Sequence, residues 1–120
     1  VLHQLSLKNS LAPMSIFRAK SNLTTITKES KPSWPHIDGQ DEHLVFIYYV
    51  NDSDGDTIVY DQKYTGSEYD QSDLTIFKKI TPKAGSAVIF DGSRYHTNYS
   101  NQKNNFRFII NMNLKLIGGQ

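Results

Sequence analysis

Apolar positions along this chain fall in short β-like segments, alternating with polar ones most clearly in residues 106–114, and turn chemistry separates the segments at short intervals. The pattern predicts strands over residues 15–19, 23–27, a short one at 36–38, then 43–50, 57–61, 74–80, 86–90 and 105–116. Between them lie Lys31-Pro32-Ser33-Trp34-Pro35, the Asn/Asp-rich stretch 51–56, Pro82-Lys83-Ala84-Gly85 and residues 101–104. Glycine permits positive φ there, proline fixes φ, and Asn and Asp bond their own backbone, so these segments read as turns. No stretch sustains a 3.6-residue period, and there is no internal repeat. Many short strands with regular turns predict an all-β sandwich or barrel, of which the jelly roll is one form.

Two strands read as buried on both faces. In 43–50, Leu44, Phe46, Tyr48 and Val50 share one side, and Val45, Ile47 and Tyr49 the other. In 105–116, Phe106, Phe108, Ile110, Met112 and Leu114 share one side, opposite Arg107, Ile109, Asn111 and Asn113. A strand apolar outside its barrel needs a covering layer. With no helix pattern in these 120 residues, the expectation is that helices preceding Val1 in the natural protein, or a partner, supply it.

The length fits one domain over residues 1–120 with a single core. The chain opens at Val1 and closes in mid-pattern at Gly118-Gly119-Gln120, as a fragment of a longer protein would. Its 13 basic and 12 acidic side chains are scattered, which argues against a broad nucleic-acid surface though not against a local groove. The absence of cysteine excludes disulfides, zinc fingers and thiol catalysis and fits a reducing, cytoplasmic setting. The apolar runs 44–50 and 106–117 are too short to cross a bilayer, so no membrane association is expected. Three glycosylation sequons, at Asn22, Asn51 and Asn98, are chance matches in an asparagine-rich chain.

The chemistry concentrates in four residues. His36-Ile37-Asp38 is an H-x-D triplet, and in an extended segment its first and third side chains point the same way. His96 follows from a distant strand. Two imidazoles and one carboxylate make the facial triad that holds non-haem Fe(II) with open positions. Arg107 lies in Phe106-Arg107-Phe108-Ile109-Ile110, and a fixed guanidinium there suits the far end of a metal-bound dicarboxylate. If its side of the strand is the interior, the charge is costly without such a partner. The alternative is a surface strand with the phenylalanines inward. Equally, H-x-D arises by chance, and a histidine near a strand end is commonly no ligand.

The ordered pieces are Pro35-His36-Ile37-Asp38-Gly39, Phe46-Ile47-Tyr48-Tyr49-Val50-Asn51, Asp54-Gly55-Asp56-Thr57-Ile58-Val59-Tyr60, the stretch from Thr81 to Phe90, His96, and Phe106-Arg107-Phe108. In that order they resemble the 2-oxoglutarate/Fe(II)-dependent dioxygenases, most closely the prolyl-4-hydroxylase-like branch, over about residues 32–115. The resemblance implies a double-stranded β-helix, a cupin-like jelly roll with the metal in its open end. It implies His36, Asp38 and His96 as Fe(II) ligands and Arg107 as the partner of the C5 carboxylate of 2-oxoglutarate. Tyr48 matches a tyrosine that helps hold the same carboxylate, with Tyr49 as the alternative. It further implies O2 as co-substrate, ascorbate to keep the iron reduced, release of succinate and CO2, and a peptidyl or small-molecule substrate that gains a hydroxyl.

Two features depart from that family. Its Gly-Gly pair before the threonine is Gly55-Asp56 here, and the step from His96 to Arg107 is slightly long, so residues 101–104 must bulge. Elsewhere, His3 and His43 read as surface side chains, Trp34 as packing, residues 61–73 as a polar loop, and Arg94 as a contact for an acidic substrate. Two rivals remain. A cupin-like metal protein that does not use 2-oxoglutarate would carry a further histidine close to the first ligand, and none follows His36 before His43. A non-catalytic binding module of the lectin or capsid type would leave the triad accidental.

Overall fold

The computed structural model describes residues 14–25, 35–66, 73–104 and 106–116. They form seven strands: β1 (Met14–Thr25), β2 (Leu44–Tyr49), β3 (Thr57–Lys63), β4 (Ile76–Ile80), β5 (Ala87–Asp91), β6 (Arg94–Asn98) and β7 (Phe106–Leu116). All pair antiparallel, in a four-stranded sheet ordered β1-β7-β2-β5 and a three-stranded sheet ordered β4-β3-β6. The backbone of His36 adds an isolated antiparallel bridge to His96 at the free edge of β6. The protein is all-β, with no α-helix among the described residues and none there long and apolar enough to cross a membrane.

The two sheets bury a shared core. Val45, Ile47 and Tyr49 of β2 meet Ile109 of β7, Phe90 of β5 and Val59 of β3, with Ile80 and Val88 packed against them. This is the layering of a β-sandwich, in which inward side chains of both sheets interdigitate. On the other side of the larger sheet, Phe46 and Leu114 are buried among half-buried Leu44, Tyr48, Ile89 and Met112. Phe106, Ile16 and Leu23, on that same outer side, are exposed. No helix among the described residues covers them.

Several predicted boundaries shift. Segments 15–19 and 23–27 are one strand as far as residue 25, because Lys20-Ser21-Asn22 continues the β7 ladder instead of turning; residues 26 and 27 lie outside the described residues. β3 runs on to Lys63. The polar pattern of Arg94-Tyr95-His96-Thr97-Asn98 hid β6, whose inward positions, opposite Thr57 and Val59, are Asn98 and His96.

β1 carries one irregularity with a consequence for the interior. Ile16 pairs with Leu114 and Arg18 with Asn113, so two steps on β1 match one on β7. Such a bulge reverses which face later side chains take. Ile16 therefore shares the outer face with Leu114, while Arg18, Lys20, Asn22 and Thr24 share the inner face with Asn113, Asn111, Ile109 and Arg107.

Candidate metal centre

His36 and His96 are the two members of one hydrogen-bonded antiparallel pair. Each amide donates to the other's carbonyl at 3.0 Å, so both imidazoles rise from the same face of the ladder, ring centroids 4.5 Å apart. Two residues beyond His36, the Asp38 carboxylate returns to the same side. Its Oδ1 lies 3.4 Å from His36 Nε2 and 3.5 Å from His96 Nε2. One ligand atom from each of the three residues falls within 4.8 Å of the others, so this group could hold a metal ion. Cis ligands about 2.1 Å from a metal stand about 3 Å apart, close to the 3.4 and 3.5 Å that separate Asp38 Oδ1 from the two imidazoles.

The residues fit a metal on a second ground. His96 is 1% exposed, and its Nε2 has no hydrogen-bond partner. Its Nδ1 lies 3.3 Å from the Arg94 carbonyl. With the proton on Nδ1 that contact is a donated hydrogen bond, and Nε2 presents its lone pair toward Asp38. The edge of the His96 ring packs on Phe90 with centroids 5.1 Å apart, which further fixes the imidazole.

Asn113 completes the arrangement, a role the sequence reading did not assign. Its Nδ2 donates to Asp38 Oδ2 at 3.0 Å, leaving Oδ1 directed at the two imidazoles. Burial alone would raise the Asp38 carboxyl. The two imidazoles beside it and the Asn113 amide outweigh this and hold the group far below the usual carboxylate range. The triad opens on a cavity of about 210 Å³ lined otherwise by Arg18, Lys20, Asn22, Asn98, Asn111 and Asn113.

Arg107 is interior, so the alternative of a solvated arginine on a surface strand does not hold. It is 5% exposed and shares the inward face of β7 with Asn111 and Asn113, although it does not itself line the cavity. Nη1 donates to the carbonyls of Tyr99 (2.6 Å) and Gly55 (3.1 Å), and Nη2 to Thr24 Oγ1 (3.1 Å). Nε is buried without a partner. No carboxylate among the described residues forms an ion pair with it. Burial lowers its affinity for the proton, though the guanidinium stays charged. Gly55 is what admits it: a Cβ there would lie 2.8 Å from Nη1 and 2.7 Å from the Tyr99 carbonyl. A residue without a side chain at position 55 is thus what the arginine requires.

The two tyrosines lie on opposite faces of β2. Tyr48 packs on the outer face with Phe46 and Leu114, away from Arg107. Tyr49 is the interior tyrosine, 0% exposed, and near enough to Arg107 for the two to interact electrostatically. It donates to Thr57 Oγ1 at 2.7 Å, and that hydroxyl donates to Asn98 Oδ1 at 2.8 Å. Burial raises the Tyr49 phenol above its ordinary range.

Two further expectations resolve. His43 is buried, not on the surface: its Nδ1 sits 2.6 Å from the Asp41 carbonyl, and its ring fills the space a side chain at Gly92 would need. Arg94 bonds the Tyr60 and Asp61 carbonyls at 3.2 and 3.1 Å and stacks over Phe77, so it braces strands. His3 and Trp34 lie outside the described residues. No protein-family model matches the chain, and no curated protein matches it either.

Proposed function

We propose that this chain is a non-haem Fe(II)- and 2-oxoglutarate-dependent oxygenase that hydroxylates a peptidyl or small-molecule substrate. The observation that carries the reading is the convergence of His36, Asp38 and His96, with the buried Nε2 of His96 lacking any hydrogen-bond partner. That donor set leaves coordination positions open and is the one non-haem Fe(II) oxygenases use. Arg107 supports the co-substrate: a buried cation with only neutral partners gains most from a carboxylate, and its orphan Nε is a donor still to be satisfied.

Strand order supports the jelly roll. Counting the His36 bridge as a second segment gives eight positions along the chain. Pairing then joins first with eighth (β1·β7), second with seventh (His36·β6), third with sixth (β2·β5) and fourth with fifth (β3·β4). A long hairpin rolled into two sheets gives this nested pairing, which is the jelly-roll plan.

When bound, Fe(II) with 2-oxoglutarate and O2 supplies oxidative decarboxylation coupled to hydroxylation, releasing succinate and CO2. The protein's share is orientation. His36 and His96 would ligate as neutral imidazoles, and Asp38 would offset part of the metal charge while Asn113 fixes its rotamer. Arg107, with Tyr49 behind it, would hold the distal carboxylate and keep the dicarboxylate from turning.

A second reading, a jelly-roll metal protein that does not use 2-oxoglutarate, draws on the three oxygens that already engage the Arg107 guanidinium. Thermal unfolding with Mn(II) or anaerobic Fe(II), with and without 2-oxoglutarate, separates the cases. The oxygenase is stabilised by metal and further by 2-oxoglutarate, and releases succinate in air. Stabilisation by metal alone selects the second reading, and response to neither leaves a non-catalytic binding module. Asp38→Ala should abolish both the shift and succinate release, and a variant that keeps full decarboxylation contradicts the ligand assignment.

A further inference from the structure

The cavity beside the triad is lined by two cationic side chains to which the proposed function gives no role. Arg18 and Lys20, both solvent-exposed, line its open side from β1, on the face set by the bulge that sends Ile16 to the opposite one. Arg18 Nη1 donates to the backbone carbonyl of Asp38 at 3.3 Å, which sets its guanidinium next to the ligand segment. No ion pair among the described residues involves Arg18 or Lys20. Asp38 is the one carboxylate in the lining, and it is engaged by the imidazoles and Asn113. The rest of the lining is histidine and asparagine, with no aliphatic or carbocyclic aromatic side chain. On that wall, Asn111 Oδ1 is buried and has no hydrogen-bond partner.

Two cations against one committed carboxylate, next to a site for a divalent metal, leave positive charge that a neutral substrate would not balance. A hydrocarbon substrate finds nothing apolar to rest on. The space suits a small molecule, not a folded chain. We infer that Arg18 and Lys20 form an anion-binding wall for the primary substrate, a small carboxylic acid that also offers an N–H or O–H donor to Asn111, as an amino acid or hydroxy acid does. The inference rests on the oxygenase reading and narrows its substrate class.

The test uses protein loaded with Mn(II) and 2-oxoglutarate without oxygen, titrated calorimetrically with amino acids and small hydroxy acids, each beside its primary amide. The same compounds are then screened for stimulation of succinate release with Fe(II) in air. At least one acid should bind and stimulate while its amide does neither. Lys20→Gln and Arg18→Gln should each weaken that binding about tenfold or more, with Lys20→Arg restoring most of it and the affinity for 2-oxoglutarate unchanged. Equal response to acid and amide, or binding of no acid at all, overturns this inference while intact 2-oxoglutarate binding leaves the oxygenase reading standing. So does a Lys20→Gln variant that loses 2-oxoglutarate affinity alone, since Lys20 would then belong to the co-substrate. Failure to bind 2-oxoglutarate overturns both.

Discussion

A carboxylate that ligates through one oxygen works best when its other oxygen is tied down, and on the proposed function the hydrogen bond from Asn113 would do this for Asp38. Asn113→Ala should leave all three ligands present yet weaken Mn(II) binding by about 10- to 100-fold, the usual effect of removing such a partner. Titration followed by calorimetry checks this, and an unaltered affinity would mean the carboxylate is held by the imidazoles alone. Arg107 invites a similarly narrow change. Lysine keeps the charge but cannot reproduce the guanidinium fork that reaches Tyr99, Gly55 and Thr24. Arg107→Lys should raise the apparent KM for 2-oxoglutarate about tenfold or more while metal affinity stays put. If 2-oxoglutarate saturates the variant as readily as the parent, the guanidinium has only a structural role.

At the scale of elements, the loop joining β6 to β7 shows how a long connection is kept orderly. Asp54 accepts hydrogen bonds from the amides of Gln102 (2.9 Å), Lys103 (2.9 Å) and Asn104 (3.2 Å), and Asn101 Nδ2 donates to the Asn104 carbonyl at 2.7 Å. The bulge expected at residues 101–104 is thus built around one carboxylate. Although the small degree of burial acts to raise it, these amides lower the Asp54 carboxyl below its ordinary value. Its contribution is therefore complete above the unfolded-state pKa of about 3.9 and is lost as pH falls through the lower folded value. Asp54→Ala should cost about 1 kcal/mol near neutrality, the exposed setting limiting the loss, and the gap from the parent should close in strong acid. Urea melts at several pH values read this directly, and a gap that widens on acidification reverses the argument. The same scale separates what the sequence made legible from what it did not. The alternation of β7 identified in advance the face shared by Arg107, Ile109, Asn111 and Asn113, and H-x-D placed the His36 and Asp38 side chains on one side. The phase of Tyr48 against Tyr49 was hidden because both faces of β2 are apolar, and only its pairing of Tyr49 with Ile109 resolves it. β6 was hidden because a strand whose inward side chains are His96 and Asn98 lacks the apolar signature of a strand. The β1 bulge left no local mark, since an inserted residue is defined by its partner strand.

Across the whole molecule, the candidate centre lies where the two sheets come together at one end of the core. His96 stands on the smaller sheet with His36 bridged to its edge, and Asp38 is tied through Asn113 to β7 of the larger one. A metal bound there joins chain segments far apart in sequence, and no such preformed site survives unfolding. Its binding free energy therefore adds to folding stability. At a free concentration one hundred times the dissociation constant the gain is about 2.7 kcal/mol, or roughly 10 °C in melting temperature for a domain of this size. Chelation should reverse the shift fully, and Asp38→Ala should melt at one temperature with or without metal. A control follows from the fold itself. The outer face of the larger sheet, with Phe106, Leu23 and Ile16 exposed, lies on the opposite side from the triad, so Leu23→Ser should leave the size of the metal shift unchanged. A shift that survives in Asp38→Ala, or vanishes in Leu23→Ser, would locate the metal somewhere other than between the sheets.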